Sequence, residues 1–347
     1  MQYVIHAAEE MERTVKLGYS EDGGMTFEDY ANRWLERQTK YAPGTLANYR
    51  KLLNVTYPYI GTIKVEALRP IALENMLIDL RKRKHHGKQI QEKTVQKYLT
   101  AVSVVLSDAK RNEIIPKNPA HMVTLPEVKN VQQYIPSRQE VSQIISIIRK
   151  EPPHFAFYYL LAIYTGCRRG ELCALKWSDF SEGPTMSEMV LTVNRSRTRV
   201  SGLGIIEGPT KNRKARTIIL DSSMTSLFQN YLSFKQAEAK RRRRKLNPYL
   251  FVDGRGNLVC PDRYSSKLRQ IYNENGFPEC YHLHTLRHYF VSSMLHSGVD
   301  KQTVAELVGH GDTSFLERTY CHPQMEQKEI ASRVMMGNMF SVHQSAS

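Results

Sequence analysis

The sequence predicts a mainly α protein with a small antiparallel β-sheet, an α+β second domain preceded by a four-helix domain. Three observations carry this. Apolar residues recur at helical spacing along most of the chain. The first set of stripes stops at Pro116 and Pro119, and a capping box at Ser137-Arg138-Gln139-Glu140 opens a second set. Only three short runs, 189–193, 204–207 and 217–220, read as strands. The 347 residues are enough for two domains.

Taken in order, residues 1–25 are an N-terminal segment ending near the Gly-rich Glu21-Asp22-Gly23-Gly24. Thr26 opens a helix whose Phe27, Tyr30, Ala31, Trp34 and Leu35 share one face. Thr45 is the expected cap of a second helix, with Leu46, Tyr49, Leu52 and Leu53 inward. Pro70, suited to a first helical turn, starts a third with Leu73, Met76, Leu77 and Leu80. Thr94 is the expected start of a fourth, through Val95, Leu99, Val102 and Leu106. Residues 26–122 thus form the helical domain, with Arg81-Lys82-Arg83-Lys84 facing outward, and residues 123–135 the linker. In the second domain, 136–347, the capped helix presents Val141, Ile144 and Ile148, and an apolar helix follows over 155–164. A basic turn, 209–215, lies between the second and third strands. The pattern is helical from Asp221 onward apart from a short segment at 250–252, and ends in an apolar stripe through Ile330, Val334, Met335 and Phe340.

Composition narrows the function classes. A hydrophobic content of 41% with 24% charged residues is that of an ordinary globular protein. No apolar run approaches the roughly 20 residues of a membrane span, and the start lacks the layout of a secretory signal. The net charge of +15 points to a polyanionic partner, nucleic acid first. Five cysteines, with no CxxC pair, argue against a disulfide framework or a zinc site and fit a reducing cytoplasm. No metal and no cofactor are expected.

The chemistry-bearing residues are scattered but of one kind. In His284-Thr285-Leu286-Arg287-His288 the first histidine and the arginine are three apart, on one helix face, and can reach one phosphate. The same stretch also allows a metal site of His282, His284 and His288, although it holds no acidic residue. Thr165-Gly166-Cys167-Arg168-Arg169-Gly170-Glu171 ends the apolar helix, so Arg168 projects from a joint, with Glu171 one turn along to orient it; Arg169 competes for the role. The basic turn offers Lys211, with Lys214 as its competitor. Gly309-His310-Gly311 and Tyr320 complete the set. Two guanidiniums can neutralise a phosphodiester's non-bridging oxygens through forked hydrogen bonds. Imidazole and ammonium groups can move protons, and a phenol can attack phosphorus.

The order of these pieces resembles the tyrosine recombinase family, the phage and transposon integrases, over nearly the whole chain. The resemblance implies that Arg168 and Arg287 clamp the scissile phosphate and that Lys211 is the general acid for the departing 5′-hydroxyl. It further implies that His284 binds phosphate and transfers protons, that His310 hydrogen-bonds the phosphate, and that Tyr320 is the nucleophile forming a 3′-phosphotyrosyl link. Glu171 falls on a supporting acidic position. The 26–122 segment, closing on Asn118-Pro119, resembles the family's SAM-like core-binding domain. The implied partner is double-stranded DNA at attachment core sites, gripped between the two domains. The C-terminal stripe is expected to dock on a neighbouring protomer in a homotetramer, with an accessory bending or excision factor by analogy. Arm-site binding is not expected from the short N-terminal segment. Three rivals share the composition: a type IB topoisomerase-like enzyme, a non-catalytic DNA-binding regulator and a metal-dependent nuclease built on the histidine cluster.

Overall fold

The computed structural model describes residues 24–85, 87–128 and 134–309. Its chain divides into two compact units, Met1–Asn130 and Val131–Ser347. The fold is mainly helical with small antiparallel sheets.

In the first unit α1 (Phe27–Arg37) is capped by the Thr26 hydroxyl, which accepts from the Asp29 N–H at 3.2 Å. Its Phe27, Tyr30, Ala31, Trp34 and Leu35 are all buried. Helix α2 (Pro43–Ile60) starts earlier than expected: Ala42, not Thr45, is its cap, because the fixed φ of Pro43 already supplies the first turn. Helix α3 (Pro70–Lys82) begins at its proline as expected. A two-residue hairpin follows, β1 (Lys84–His85) with β2 (Lys88–Gln89), leading into α4 (Glu92–Arg111). Helix α4 starts two residues before Thr94, where Arg81 forks onto Glu92 at 2.7 and 2.8 Å. Asn118 accepts from the Ala120 N–H and donates to Ser103 O and Ser107 Oγ, pinning the end of this unit onto α4.

The second unit is built around α6 (Pro153–Thr165), whose residues are buried on nearly every side. It is preceded by α5 (Arg138–Ile148), where Ser137 and Glu140 form the expected reciprocal cap. A short α7 (Arg169–Cys173) leads to strands β3 (Phe180–Glu182) and β4 (Met189–Val193). Next come β5 (Arg195–Val200), β6 (Gly204–Pro209) and β7 (Arg216–Leu220). Helices α8 (Ser222–Arg241), α9 (Pro261–Glu274), α10 (Leu283–His296) and α11 (Lys301–Val308) complete the described part. Aromatic rings fill the core: Tyr158 stacks on Tyr264 at 3.7 Å between ring centres, and Phe180 on Phe228 at 4.1 Å.

The sheet differs from the expectation of a single one. Strands β3, β4 and β7 make one antiparallel sheet, while β5 and β6 form a separate hairpin. The loop 210–215 therefore crosses from one sheet to the other and does not close a hairpin. Strand β5 escaped the sequence because Arg-Ser-Arg-Thr-Arg-Val lacks apolar alternation. Its Arg197 is nonetheless buried, paired with Glu207 at 2.9 Å and lying over the Tyr249 ring at 3.9 Å. No helix among the described residues is long and apolar enough to cross a membrane.

Candidate active site

Three ends of secondary structure converge in the second unit. Helix α6 stops at Gly166, whose φ of 59° is the left-handed conformation that a side chain resists. The chain then turns through Cys167 and presents Arg168 as the residue ahead of α7. Glu171, almost fully buried, accepts from the Arg168 N–H at 2.8 Å and from its Nη1 at 2.9 Å.

Helix α11 closes at Gly309, with φ 65°, and leaves carbonyl oxygens without helical donors. Guanidiniums take them. Arg168 donates to Val308 O at 3.3 Å and Gly309 O at 3.0 Å. Arg287, from the second turn of α10, donates to Val308 O at 2.7 Å and to Gly166 O at 2.7 Å. Arg216, the first residue of β7, donates to Leu307 O at 2.7 Å and to Glu171 Oε2 at 2.6 Å. The negative end of a helix dipole suits cations here. The arrangement gathers three guanidiniums at the end of α11, two of them on one carboxylate, an excess of positive charge fit to receive a phosphodiester.

The electrostatics follow from that crowding. Burial, then the Arg168 charge, pushes Arg287 down to about 9, so it stays protonated at neutral pH. Burial opposes the charge of Glu171, but the hydrogen bonds from Arg216 and Arg168 outweigh it and hold the carboxyl below its usual value. Loss of water around the ring, then the charges of Arg287, His282 and Arg168, lower His284 to about 4. His284 keeps an exposed edge, so solvent tempers the first of these causes. Burial raises the Cys167 thiol, which stays protonated.

Arg168 and Arg287 are thus brought together, with Glu171 between Arg168 and Arg216. His284 lies one turn from Arg287 and meets His288 edge-on at 4.7 Å between rings. Arg169, the competitor, is drawn onto α9, donating to Asp262 at 2.7 Å and Ser265 at 3.1 Å. In the crossing loop Asn212 donates to Gly309 O at 2.8 Å, and Lys211 is exposed. Lys214 lines a cavity of about 290 Å³ with Arg168, Arg216, Asn212 and Gly309. A second cavity, of about 690 Å³, is walled by His284, Arg287, Arg169 and Ser265. His310 and Tyr320 lie outside the described residues, as does the C-terminal stripe. Among the described residues no His, Cys, Asp or Glu cluster is placed to hold a metal ion, which leaves the trio His282, His284 and His288 unsupported as ligands.

Sequence reasoning missed Arg216 and Asn212. Arg216 was one base among several in its run. The signal that could have found it is its period of two with the inward Ile218 and Leu220.

Comparison with known proteins decides the family. The Phage integrase family model matches residues 137–327, and the Phage integrase SAM-like domain model matches residues 26–125. The chain belongs to the phage integrase family. It is 24% identical over 249 residues to the ICEBs1 integrase of Bacillus subtilis (strain 168), covering 71% of this chain and 66% of that protein. It is 23% identical over 304 residues to a tyrosine recombinase of Thermosipho africanus (strain TCF52B), covering 87% and 95% of the two. Its fold is similar to that of the Tn1549 transposon integrase solved in complex with a circular intermediate DNA. That match has a TM-score of 0.74 at 15% identity and covers 89% of this chain and 99% of that one. A lambda integrase dimer bound to a COC′ core site follows at 0.62 and 17%, with 89% and 80% covered. The matched residues 137–327 include Arg168, Arg287 and Tyr320.

Proposed function

We propose that the chain is a site-specific DNA recombinase that cuts and rejoins strands through a 3′-phosphotyrosyl intermediate, moving a mobile element into or out of DNA. The observation that carries this is the meeting of Arg168 and Arg287 at Val308 O, beside Glu171, in a phage integrase family chain that also contains Tyr320. A pair of guanidiniums so placed stabilises charge as it develops on the non-bridging oxygens of a phosphorane.

The Tyr320 oxygen attacks phosphorus, the bond from phosphorus to O5′ breaks, and the 3′-phosphate stays on the tyrosine. The phenolic proton passes to His284, which is neutral at physiological pH. Lys211 delivers a proton to the leaving 5′-oxygen; Lys214, in the cavity wall with Arg168, is the alternative donor. A second 5′-hydroxyl reverses the step on a new partner strand. The bond energy is kept in the covalent link, so no external energy source is needed. His310 adds a hydrogen bond to the phosphate. Residues 136–347 act as the catalytic domain and residues 26–122 as the core-binding domain. Both hold double-stranded DNA mainly through phosphates, in keeping with the +15 charge. Residues 328–347 link protomers into a tetramer on DNA, in the cytoplasm of a bacterial host.

The test is covalent capture. The purified chain is incubated with fragmented DNA from its own source, including the ends and the circular form of the element that encodes it. Trapped DNA is then sequenced. A protein–DNA adduct that persists in EDTA and disappears in Tyr320→Phe is the expected result. No adduct, or cleavage that EDTA abolishes, overturns the reading. Joining of two separate duplexes, as opposed to relaxation of one, sets a recombinase apart from a topoisomerase.

A further inference from the structure

We propose that Arg216 is a positioning residue for strand cleavage, holding Glu171, and through it Arg168, against the end of α11. The inference rests on the recombinase reading above.

The geometry is specific. The two oxygens of Glu171 are divided: Oε1 receives Arg168 Nη1 at 2.9 Å, while Oε2 receives Arg216 Nη2 at 2.6 Å and the Arg168 backbone N–H at 2.8 Å. Arg216 also donates Nε to Leu307 O at 2.7 Å, one residue before the oxygen that Arg168 and Arg287 share. A methyl group added at Gly309 would stand 3.0 Å from Arg216 Nη1 and 3.4 Å from Arg168 Nη1, so both guanidiniums close on that one residue. Arg216 therefore ties β7, α7 and α11 together around the carboxylate that aims Arg168.

Fold stability alone does not call for an arginine at this position. The inward residues of β7 alternate Arg216, Ile218 and Leu220, and an apolar side chain at the first would continue the core. Replacing both members of a buried ion pair with packed apolar groups is often neutral or stabilising, so the Arg216–Glu171 pair as a whole is not required for stability. What the arginine supplies is direction. With Arg216 in place, Glu171 is fixed on both sides and Arg168 keeps its remaining donors aimed at the cavity. Without it, the carboxylate is free to swing and to draw Arg168 inward.

The experiment uses the full chain on a nicked suicide duplex built from the trapped site, carrying at the scissile position either the native phosphodiester or a methylphosphonate. The methylphosphonate has no negative charge for Arg168 to neutralise. Single-turnover adduct formation is measured for wild type, Arg216→Ala, Arg216→Lys and Arg168→Ala. Arg216→Ala is expected to lose about 100-fold on the diester, as when one oxyanion donor is removed, and about 10-fold or less on the methylphosphonate. Combined with Arg168→Ala it should add little further loss, since the two act as a unit. Arg216→Lys, which keeps the buried charge and covers the case in which the alanine variant misfolds, should show a smaller loss with the same narrowing. Equal losses on both substrates in the lysine variant, additive losses in the double variant, or no loss at all would overturn the inference. A wild-type chain that forms no adduct would overturn the recombinase reading and this inference with it.

Discussion

Arg168 and Arg287, from α7's leading edge and from α10, donate to the same backbone oxygen, Val308 O, at 3.3 and 2.7 Å. Two like charges share an acceptor because that acceptor lies at the negative end of α11 and because Glu171 stands behind Arg168. The pair is held in place before any phosphate arrives. Such preorganisation spares the enzyme from reorienting dipoles at the moment of reaction.

Arg287→Ala should be costly twice. Gly166 O loses its side-chain donor, at a cost of about 1–3 kcal/mol for an unsatisfied buried carbonyl, and Val308 O keeps only Arg168 at 3.3 Å. Urea unfolding should show that loss, and adduct formation should fall by roughly 10²–10³-fold. Arg287→Lys should recover more of the stability than of the rate, because an ammonium keeps the charge beside the carbonyls but cannot offer a phosphate a planar forked pair of donors.

The pH dependence should carry the mark of His284. Its folded value of about 4 lies below its ordinary 6.5, so the folded state binds fewer protons than the unfolded state between the two. Its contribution to stability is present above about pH 6.5 and lost as pH falls toward 4. Adduct formation should likewise hold from neutral pH to about 5 and fall below that, as the acceptor nitrogen becomes protonated. Denaturation midpoints of wild type and His284→Ala should converge at low pH; parallel curves would count against the depressed value.

The identity of the proton donor is open to a chemical test. A substrate with sulfur in place of the bridging 5′-oxygen has a leaving group that needs no proton. Lys211→Ala should be slow on the native strand and near wild type on the sulfur strand, while Lys214→Ala should show no such rescue. The reverse pattern would move the role to Lys214, which already shares a cavity wall with Arg168.

Gly166→Ala tests the joint itself. The new methyl would stand 2.5 Å from the Phe290 ring, at a φ of 59° that alanine resists. A destabilisation of roughly 2–4 kcal/mol is expected from strain and overpacking together. Because Gly166 O is an Arg287 acceptor, cleavage should suffer even where the protein remains folded.

Much of this was legible in the sequence because local chemistry agreed with the final fold. Thr26, Pro70 and the Ser137–Glu140 box start helices where their side chains say they should. Their spacing put His284 and Arg287 on one helix face, and Gly166 marked the helix end ahead of Arg168; that the two stretches meet was implied by the family resemblance alone. Other features depended on partners far along the chain. Strand β5 is held by Glu207 and Tyr249 against a polar pattern, so no window of its own sequence announces it. Arg216 hid among neighbouring bases until Leu307 and Glu171 gave it a place. Thr45 yielded the cap position to Ala42, because Pro43 already begins the helix. The contact that draws Arg169 away depends on Asp262, which sits on α9.

The shared carboxylate of Glu171 also bears on how such a chain can change over generations. One acid serves two cations that arrive from different stretches of sequence, so none of the three positions can drift by itself. A lineage that lost Glu171 would strand both arginines at once, and one that lost Arg216 would inherit a half-tethered acid. Descendants should therefore alter these three sites in concert or keep them all.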